Sequence, residues 1–395
     1  MPAEAIVAPT AESEEFQTDR VAIISAAHAV HDTYTAFLPP LLPAFIESMS
    51  LTLTQAGSLS VFMQIPSLLQ PFIGYLADRV GLRYLVIMAP AVTATGMSLL
   101  GVAPSFMVMV LLLMVAGLSS ATIHSVAPVM AGRLSGNSLG RGMGFWMVGG
   151  EVGRFLGPLA IAGYFLLSPD SLSSLPLLMF GGWATSALLF VRLRDVPGRP
   201  PVSGEPIPWR QGLRTMGAFM VPLIGIITVR SFMVAALTTY LPTFLRDEGA
   251  ALWFASVALS VLELAGIVGA LLGGSLSDRW GRRRILFVSL VTTPLLMLIF
   301  MGVTNWMQFL LLLALGLASL SVTPVLMAMV QENFPENPAL ANGVYMALSF
   351  IIRSGAVLLL GMASDTYGMR TAYYASIAIT LLGVPVVFFL PSRKR

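Results

Sequence analysis

Long apolar runs fill this chain, and one charged loop between such runs is written twice. Gly74, Asp78, Arg79, Gly81 and Arg83 recur 200 positions later as Gly274, Asp278, Arg279, Gly281 and Arg283. Other segments repeat at nearly the same offset. Leu38-Pro39 answers Leu241-Pro242. Gly144-Phe-Trp146-Met147 with Arg154 answers Gly343-Val-Tyr345-Met346 with Arg353. A duplication of this length inside an apolar chain points to two related halves, an organisation common among membrane transporters.

The apolar runs fix the fold class. The chain has 395 residues, 56% hydrophobic and 10% charged, with a mean hydropathy of +0.83. A soluble domain carries about 25% charge. A bilayer core of about 30 Å takes about 20 apolar residues per helix, so twelve transmembrane helices with short connections account for the length. Helices or closed barrels alone satisfy their backbone in lipid. Continuous rather than alternating apolarity selects helices. The expected spans are 20–46, 54–77, 84–103, 106–131, 142–167, 172–192, 217–245, 252–277, 285–303, 306–330, 339–363 and 371–390. The reading is an all-α integral membrane protein of two pseudo-symmetric six-helix bundles, 1–194 and 215–395. The Pro- and Gly-rich stretch 195–214 links them.

Residues 1–19 carry Glu4, Glu12, Glu14, Glu15 and Asp19 and read as a disordered acidic tail. They are not expected to form a cleavable signal peptide, which would open basic and carry a shorter apolar core. Basic residues collect on one side of the expected spans. These are Arg20, Arg79, Arg83, Arg133, Arg141, the group Arg192 to Arg214, Arg279, Arg282, Arg283, Arg284 and the tail Arg393-Lys394-Arg395. The opposite loops hold only Arg246 and Arg370. That bias expects both termini and both duplicated loops in the cytoplasm, in a multi-pass protein of the cytoplasmic (plasma) membrane. The charges then report topology and not a nucleic-acid surface. Cysteine is absent, which removes disulfide and thiol chemistry.

The chain is identified as resembling the major facilitator superfamily over essentially its whole length. The Gly-x3-Asp-Arg-x-Gly-x-Arg loop resembles that superfamily's signature, and its second copy stands where the family repeats it. Span 5 resembles the antiporter motif in Gly144, Gly153, Gly157 and Pro158, with Ile161-Ala162 where the family has two glycines. Within the superfamily, four segments resemble the fosmidomycin-resistance exporters. They are His28 to Asp32, Ser67-Leu68-Leu69-Gln70-Pro71, His124 with Gly117 and Ser119-Ser120, and Gly149 to Pro158. The resemblance implies proton-driven export of a small drug-like or metabolite anion. It also implies that helices 1, 4, 7 and 10 line a central cavity, that 2, 5, 8 and 11 form the seam between halves, and that 3, 6, 9 and 12 face lipid.

Apart from Arg20 and Arg192 at span ends, nine acidic, basic or histidine side chains fall inside the expected spans: His28, His31, Asp32, His124, Glu151, Arg154, Arg230, Glu263 and Arg353. None of these nine lies in spans 3, 6, 9 or 12. A charge in hydrocarbon costs roughly 2.5 kcal/mol or more, so each of the nine expects water or a partner. His28 and Asp32 are one helical turn apart with His31 beside them, and an imidazole next to a carboxylate exchanges a proton near neutral pH. These three are the expected proton carriers, against the plainer reading of a packing pair. Glu151 and Arg154 share one face of span 5, and Glu263 on span 8 could compete for Arg154. That set reads either as a partner-swapping coupling pair or as a static buried bridge. Arg230, Arg353, Arg154 and His124 are the candidate substrate contacts, since a guanidinium fork suits phosphonate or carboxylate oxygens. Three carboxylates against three arginines leave full internal pairing open, and His124 could equally be bonded to a neighbouring hydroxyl.

Gly149, Gly153 and Gly157 make a smooth strip for close helix approach. Pro158 is expected to bend its helix. Asp78 and Asp278 could cap a helix of the opposite half and hold an inner gate. No nucleophile elbow, HExxH or phosphate loop is present, so neither an enzyme nor an ATP-driven pump is expected. No cofactor and no metal site is expected. The expected partners are a small-molecule substrate, protons and membrane lipid, around a monomer. A proton symporter importing an organic anion or sugar, and a non-transporting receptor or scaffold, remain the competing readings.

Overall fold

The computed structural model describes residues 15–70, 72–73, 83–136, 138–169, 171–196, 217–304, 306–333 and 338–390. Helices in chain order are α1 Thr18–Thr35, α2 Leu38–Met49, α3 Leu53–Gln64, α4 Arg83–Leu99, α5 Phe106–Leu134, α6 Leu139–Leu167 and α7 Met179–Leu193. They continue with α8 Gly217–Ala235, α9 Leu241–Asp247, α10 Leu252–Trp280, α11 Arg282–Phe300, α12 Met307–Leu320, α13 Val322–Asn333, α14 Pro338–Tyr367 and α15 Met369–Val386. A five-residue π turn, Ala236–Tyr240, joins α8 to α9. Among the described residues, nine segments are helical, long and apolar enough to cross a membrane.

Three further expected spans are helical but broken or more polar. Span 1 breaks between α1 and α2 at Ala36-Phe37, just before Leu38-Pro39-Pro40, where a proline favours the first turn of a new helix. Span 2 tightens into a 3₁₀ turn at Ile65–Leu69, which contains Pro66. Span 5 is one continuous helix, α6, carrying Arg141, Glu151 and Arg154 and running through Pro158. Prolines also sit inside α2, α4, α5, α8, α11 and α15. Helices tolerate them at membrane depth because neighbours satisfy the freed carbonyls. The acidic tail was expected to be disordered through residue 19, but α1 begins at Thr18, and the Gln17 N–H donates to Leu134 O at 2.9 Å.

The buried apolar side chains form four clusters. Two are drawn from residues 21–196 and two from residues 220–390. Residues 197–216, most of the expected linker, lie outside the described set. Contacts between the two groups of helices run along α6 against α10 and along α3 against α14.

At the face bearing the α2–α3, α9–α10 and α14–α15 connections, called the far face below, polar contacts cross between the groups. Arg246 pairs with Glu47 at 2.6 Å. Asp365 at the end of α14 accepts from the Leu53 and Thr54 N–H groups at 2.7 and 2.9 Å and from the Thr54 hydroxyl at 2.6 Å. Thr52 and Gln55 complete a capping box on the same helix start, so α3 has its first donors satisfied from both sides.

Candidate functional site

The glycine strip of α6 sets the geometry of the site. A Cβ on Gly149 would lie 2.3 Å from Ser25 O, one on Gly153 2.4 Å from Ala29 O, and one on Gly157 2.5 Å from Thr33 O. Glycines at every fourth position therefore meet carbonyls at every fourth position of α1. The strip packs α6 on α1, within the first group of helices. Gly144, one turn earlier, has open space around its Cβ position.

This close approach brings the backbone of α6 onto the α1 cluster. The His28 ring stacks on Trp146 with centroids 3.6 Å apart, and its Nδ1 donates to Trp146 O at 2.9 Å. His124 on α5 donates from its own Nδ1 to Ser120 O at 2.8 Å. A carbonyl accepts and never donates, so both Nδ1 atoms carry hydrogen, and in the neutral rings both Nε2 atoms are lone pairs. Those two Nε2 atoms face each other at 3.1 Å. Asp32 supplies Oδ2 at 3.3 Å from His28 Nε2 and Oδ1 at 3.6 Å from His124 Nε2. His28 and Asp32 are buried, and the His124 side chain is one-third accessible.

His124 thus joins the α1 cluster and not the arginines with which the sequence reading grouped it. His31 is fully buried beside the cluster. Its Nε2 lies 3.9 Å from Asp32 Oδ1, outside hydrogen-bond reach.

Three acceptors converging at these distances repel one another unless a cation lies among them. The donor atoms of His28, Asp32 and His124 fall within 4.8 Å of one another, close enough to hold a small cation. The Arg154 charge also acts on Asp32 and on His124.

Arg154 sits two turns beyond Trp146 along α6. It pairs with Glu151 on its own helix and, through Nε, with Glu263 of α10 at 3.6 Å. It therefore spans the two groups of helices while holding both carboxylates, with the looser contact being the one that crosses. This leaves the expected balance of three arginines against three carboxylates unfilled. Among the described residues neither Arg230 nor Arg353 is in an ion pair. Arg230 donates to Ser319 O and Thr323 Oγ1, each at 3.0 Å, and Arg353 donates to Thr238 Oγ1 at 2.9 Å. The Nε of each is buried without a partner. Thr238, Thr323 and the Trp146 carbonyl were not singled out from sequence. Trp146 lay inside a recognised repeat, whereas no motif marks the threonines.

Of the duplicated loop, Gly74, Asp78, Arg79 and Gly81 lie outside the described residues. Arg83 donates to Val196 O at 2.7 Å, just after α7. Its counterpart Arg283 donates to Val387 O at 3.2 Å and to Phe388 O, just after α15. The same position in each copy thus tethers the segment after a later helix, α7 for Arg83 and α15 for Arg283. In the second copy Gly274 lies in α10 and Arg279 is exposed in that helix's last turn. Gly281 holds φ +93° between α10 and α11, a conformation that favours glycine. Asp278, expected to hold a helix of the opposite half, pairs with Arg282 at 2.7 Å. Arg282 also pairs with Glu332 at 2.8 Å.

The all-helical fold agrees with comparisons to known proteins. The family model described as Major Facilitator Superfamily matches residues 24–291 and 253–395. The chain belongs to the major facilitator superfamily. Its members are membrane transporters and not enzymes. The chain is 23% identical to the fosmidomycin resistance protein of Escherichia coli (strain K12), over 94% of this chain and 93% of that one. It is 24% identical to the multidrug resistance protein MdtG of Salmonella arizonae, over 90% and 91%. Among solved structures it is similar to an inward-facing, occupied bacterial homologue of the human lysosomal transporter Spinster. That match has a TM-score of 0.79 and 16% identity, over 94% of this chain and 96% of that one. The nucleoside transporter NupG gives a TM-score of 0.71 at 15% identity, over 95% and 98%. These likenesses support an all-α multi-pass membrane transporter.

Proposed function

We propose that this transporter is a proton-coupled antiporter that exports small organic anions by alternating access. The twelve spans form two bundles of six, 1–194 and 215–395, in the cytoplasmic membrane with both termini inside. The names of two relatives, for fosmidomycin and multidrug resistance, favour efflux. The observation that carries the proton reading is the pair of facing imidazole Nε2 atoms, 3.1 Å apart beside Asp32. One added proton converts the contact into an N–H⁺···N hydrogen bond whose charge Asp32 balances. Proton loss leaves the cluster with one net negative charge.

Coupling follows from Arg154. A deprotonated cluster draws the guanidinium toward Asp32, and the contact it gives up most readily is the 3.6 Å one to Glu263 across the seam. Proton binding and the seam contact then go together, and proton loss releases the seam. The anion takes the remaining donors of Arg230 and Arg353, whose Nε groups lack any partner. A charge-assisted fork onto phosphonate or carboxylate oxygens would complete both.

The test is proton release from the detergent-solubilised protein when the phosphonate fosmidomycin is added in weak buffer. Release supports antiport; uptake supports the symport alternative; no exchange supports a receptor or scaffold. Asp32→Asn and His124→Gln should each abolish the release while the protein still elutes as a single species. Full pH-driven transport by Asp32→Asn would remove the cluster from the proton path.

A further inference from the structure

The π turn at Ala236–Tyr240 is held from three directions. The Tyr373 hydroxyl on α15 donates to Ala236 O at 2.8 Å. Thr238 Oγ1 accepts from Arg353 Nη2 at 2.9 Å while donating to Val234 O at 2.8 Å. The Tyr240 hydroxyl lies 3.1 Å from Leu53 O, in the other group of helices, and 3.1 Å from Val357 O, in its own. One phenolic hydrogen serves both carbonyls, so neither bond is complete. The surroundings are tight. A Cβ on Gly57 would lie 1.9 Å from that oxygen, and one on Gly361 would lie 2.6 Å from it. Tyr240 therefore plugs the point where α3 and α14 cross, beside the Asp365 cap and the Glu47–Arg246 pair.

A π turn spends an extra residue relative to an α turn, and such turns persist where outside contacts hold them, frequently at functional sites. If the turn relaxes to α geometry, each residue beyond it rotates by about 100° around the axis. We propose that Thr238 and Tyr240 are positioning residues of the transport cycle, with the π turn tying the place of the Arg353 guanidinium to closure of the far face. When Arg353 turns to a bound anion it leaves Thr238. The turn then loses one of its three outside holds, and Tyr240 swings off Leu53. The far-face seal loses its plug and rests on the Asp365 cap and the Arg246–Glu47 pair. The link from anion to Arg353 rests on the reading under Proposed function; the link from Thr238 to Tyr240 does not.

The chain has no cysteine, so Ser48→Cys and Tyr367→Cys, both exposed on the far face, accept two unique spin labels. Double electron–electron resonance on the labelled full chain then reads the distance across that face. The parent is expected to show mainly the short distance, and fosmidomycin should raise the long-distance fraction. Without any ligand, Thr238→Val and Tyr240→Phe should each raise the long-to-short ratio about fivefold, the worth of one hydrogen bond. Thr238→Ser should behave as the parent.

If Thr238→Val is folded but gives the parent distribution, the inference is overturned, even if Tyr240→Phe opens the face. If Thr238→Val fails to fold, Arg353→Gln breaks the same contact from the other side and must open the face in its place. If both ligand-free variants open but fosmidomycin does not bind the parent, the relay stands and the anion reading falls.

Discussion

Replacing Gly153 by alanine tests how the α1–α6 contact supports the proton cluster. The new Cβ would sit 2.4 Å from Ala29 O, 2.7 Å from Asp32 Cβ and 3.0 Å from Thr33 N. Two of these neighbours are backbone and cannot rotate away. Reaching ordinary contact at 3.4 Å requires α1 and α6 to part by about 1 Å. Overpacking of this kind costs about 1–3 kcal/mol. The parting also carries Asp32 and His28 away from His124, which sits on α5 and does not follow. Gly153→Ala should therefore melt clearly below the parent in detergent and lose fosmidomycin-driven proton release. Gly144→Ala, on the same helix with nothing within 4 Å of its Cβ, should change neither. Equal melting of the two variants would refute the argument that the strip sets the α1–α6 distance. Normal proton release from a destabilised Gly153→Ala would refute the argument that the distance matters to the cluster.

Three further outcomes are expected. Arg230→Gln should weaken fosmidomycin binding tenfold or more by isothermal titration, because a charge-assisted hydrogen bond contributes about 1.5–3 kcal/mol, with no change in elution profile. Glu263→Gln should leave Arg154 paired with Glu151 and so preserve the melting temperature, yet uncouple proton movement from substrate movement; intact coupling in reconstituted vesicles would count against the seam role. Glu47→Gln should cost at most about 1 kcal/mol in thermal melting, since the Arg246–Glu47 pair is exposed, and the loss should shrink further at high salt.

Much of this arrangement was readable beforehand, for physical reasons. Charges at membrane depth are rare, so His28, Asp32, Glu151, Arg154 and Glu263 stood out from composition alone, and helical spacing paired Glu151 with Arg154. The glycine strip was equally visible, but its partner was not. Spacing shows that a helix is approached closely and does not name the helix that approaches.

His124 reaches His28 over a sequence separation of 96, and Asp365 caps α3 over one of more than 300. Such contacts leave no trace in local pattern. The π turn was hidden for a different reason. Ala236-Leu237-Thr238-Thr239-Tyr240 contains neither glycine nor proline, so nothing local announces the extra residue, which is held by Arg353, Leu53 and Tyr373 from outside. The break after Thr35 was obscured because the apolar run continues through Ala36-Phe37 without a polar residue.

The ring of His28 lies flat against Trp146, 10° from parallel. An imidazolium in that position quenches indole emission, whereas a neutral ring does so weakly. Trp146→Phe identifies this residue's share of the signal among six tryptophans. Light emitted by the unlabelled protein then gives the charge of its own buried cluster in real time, on either side of a turnover.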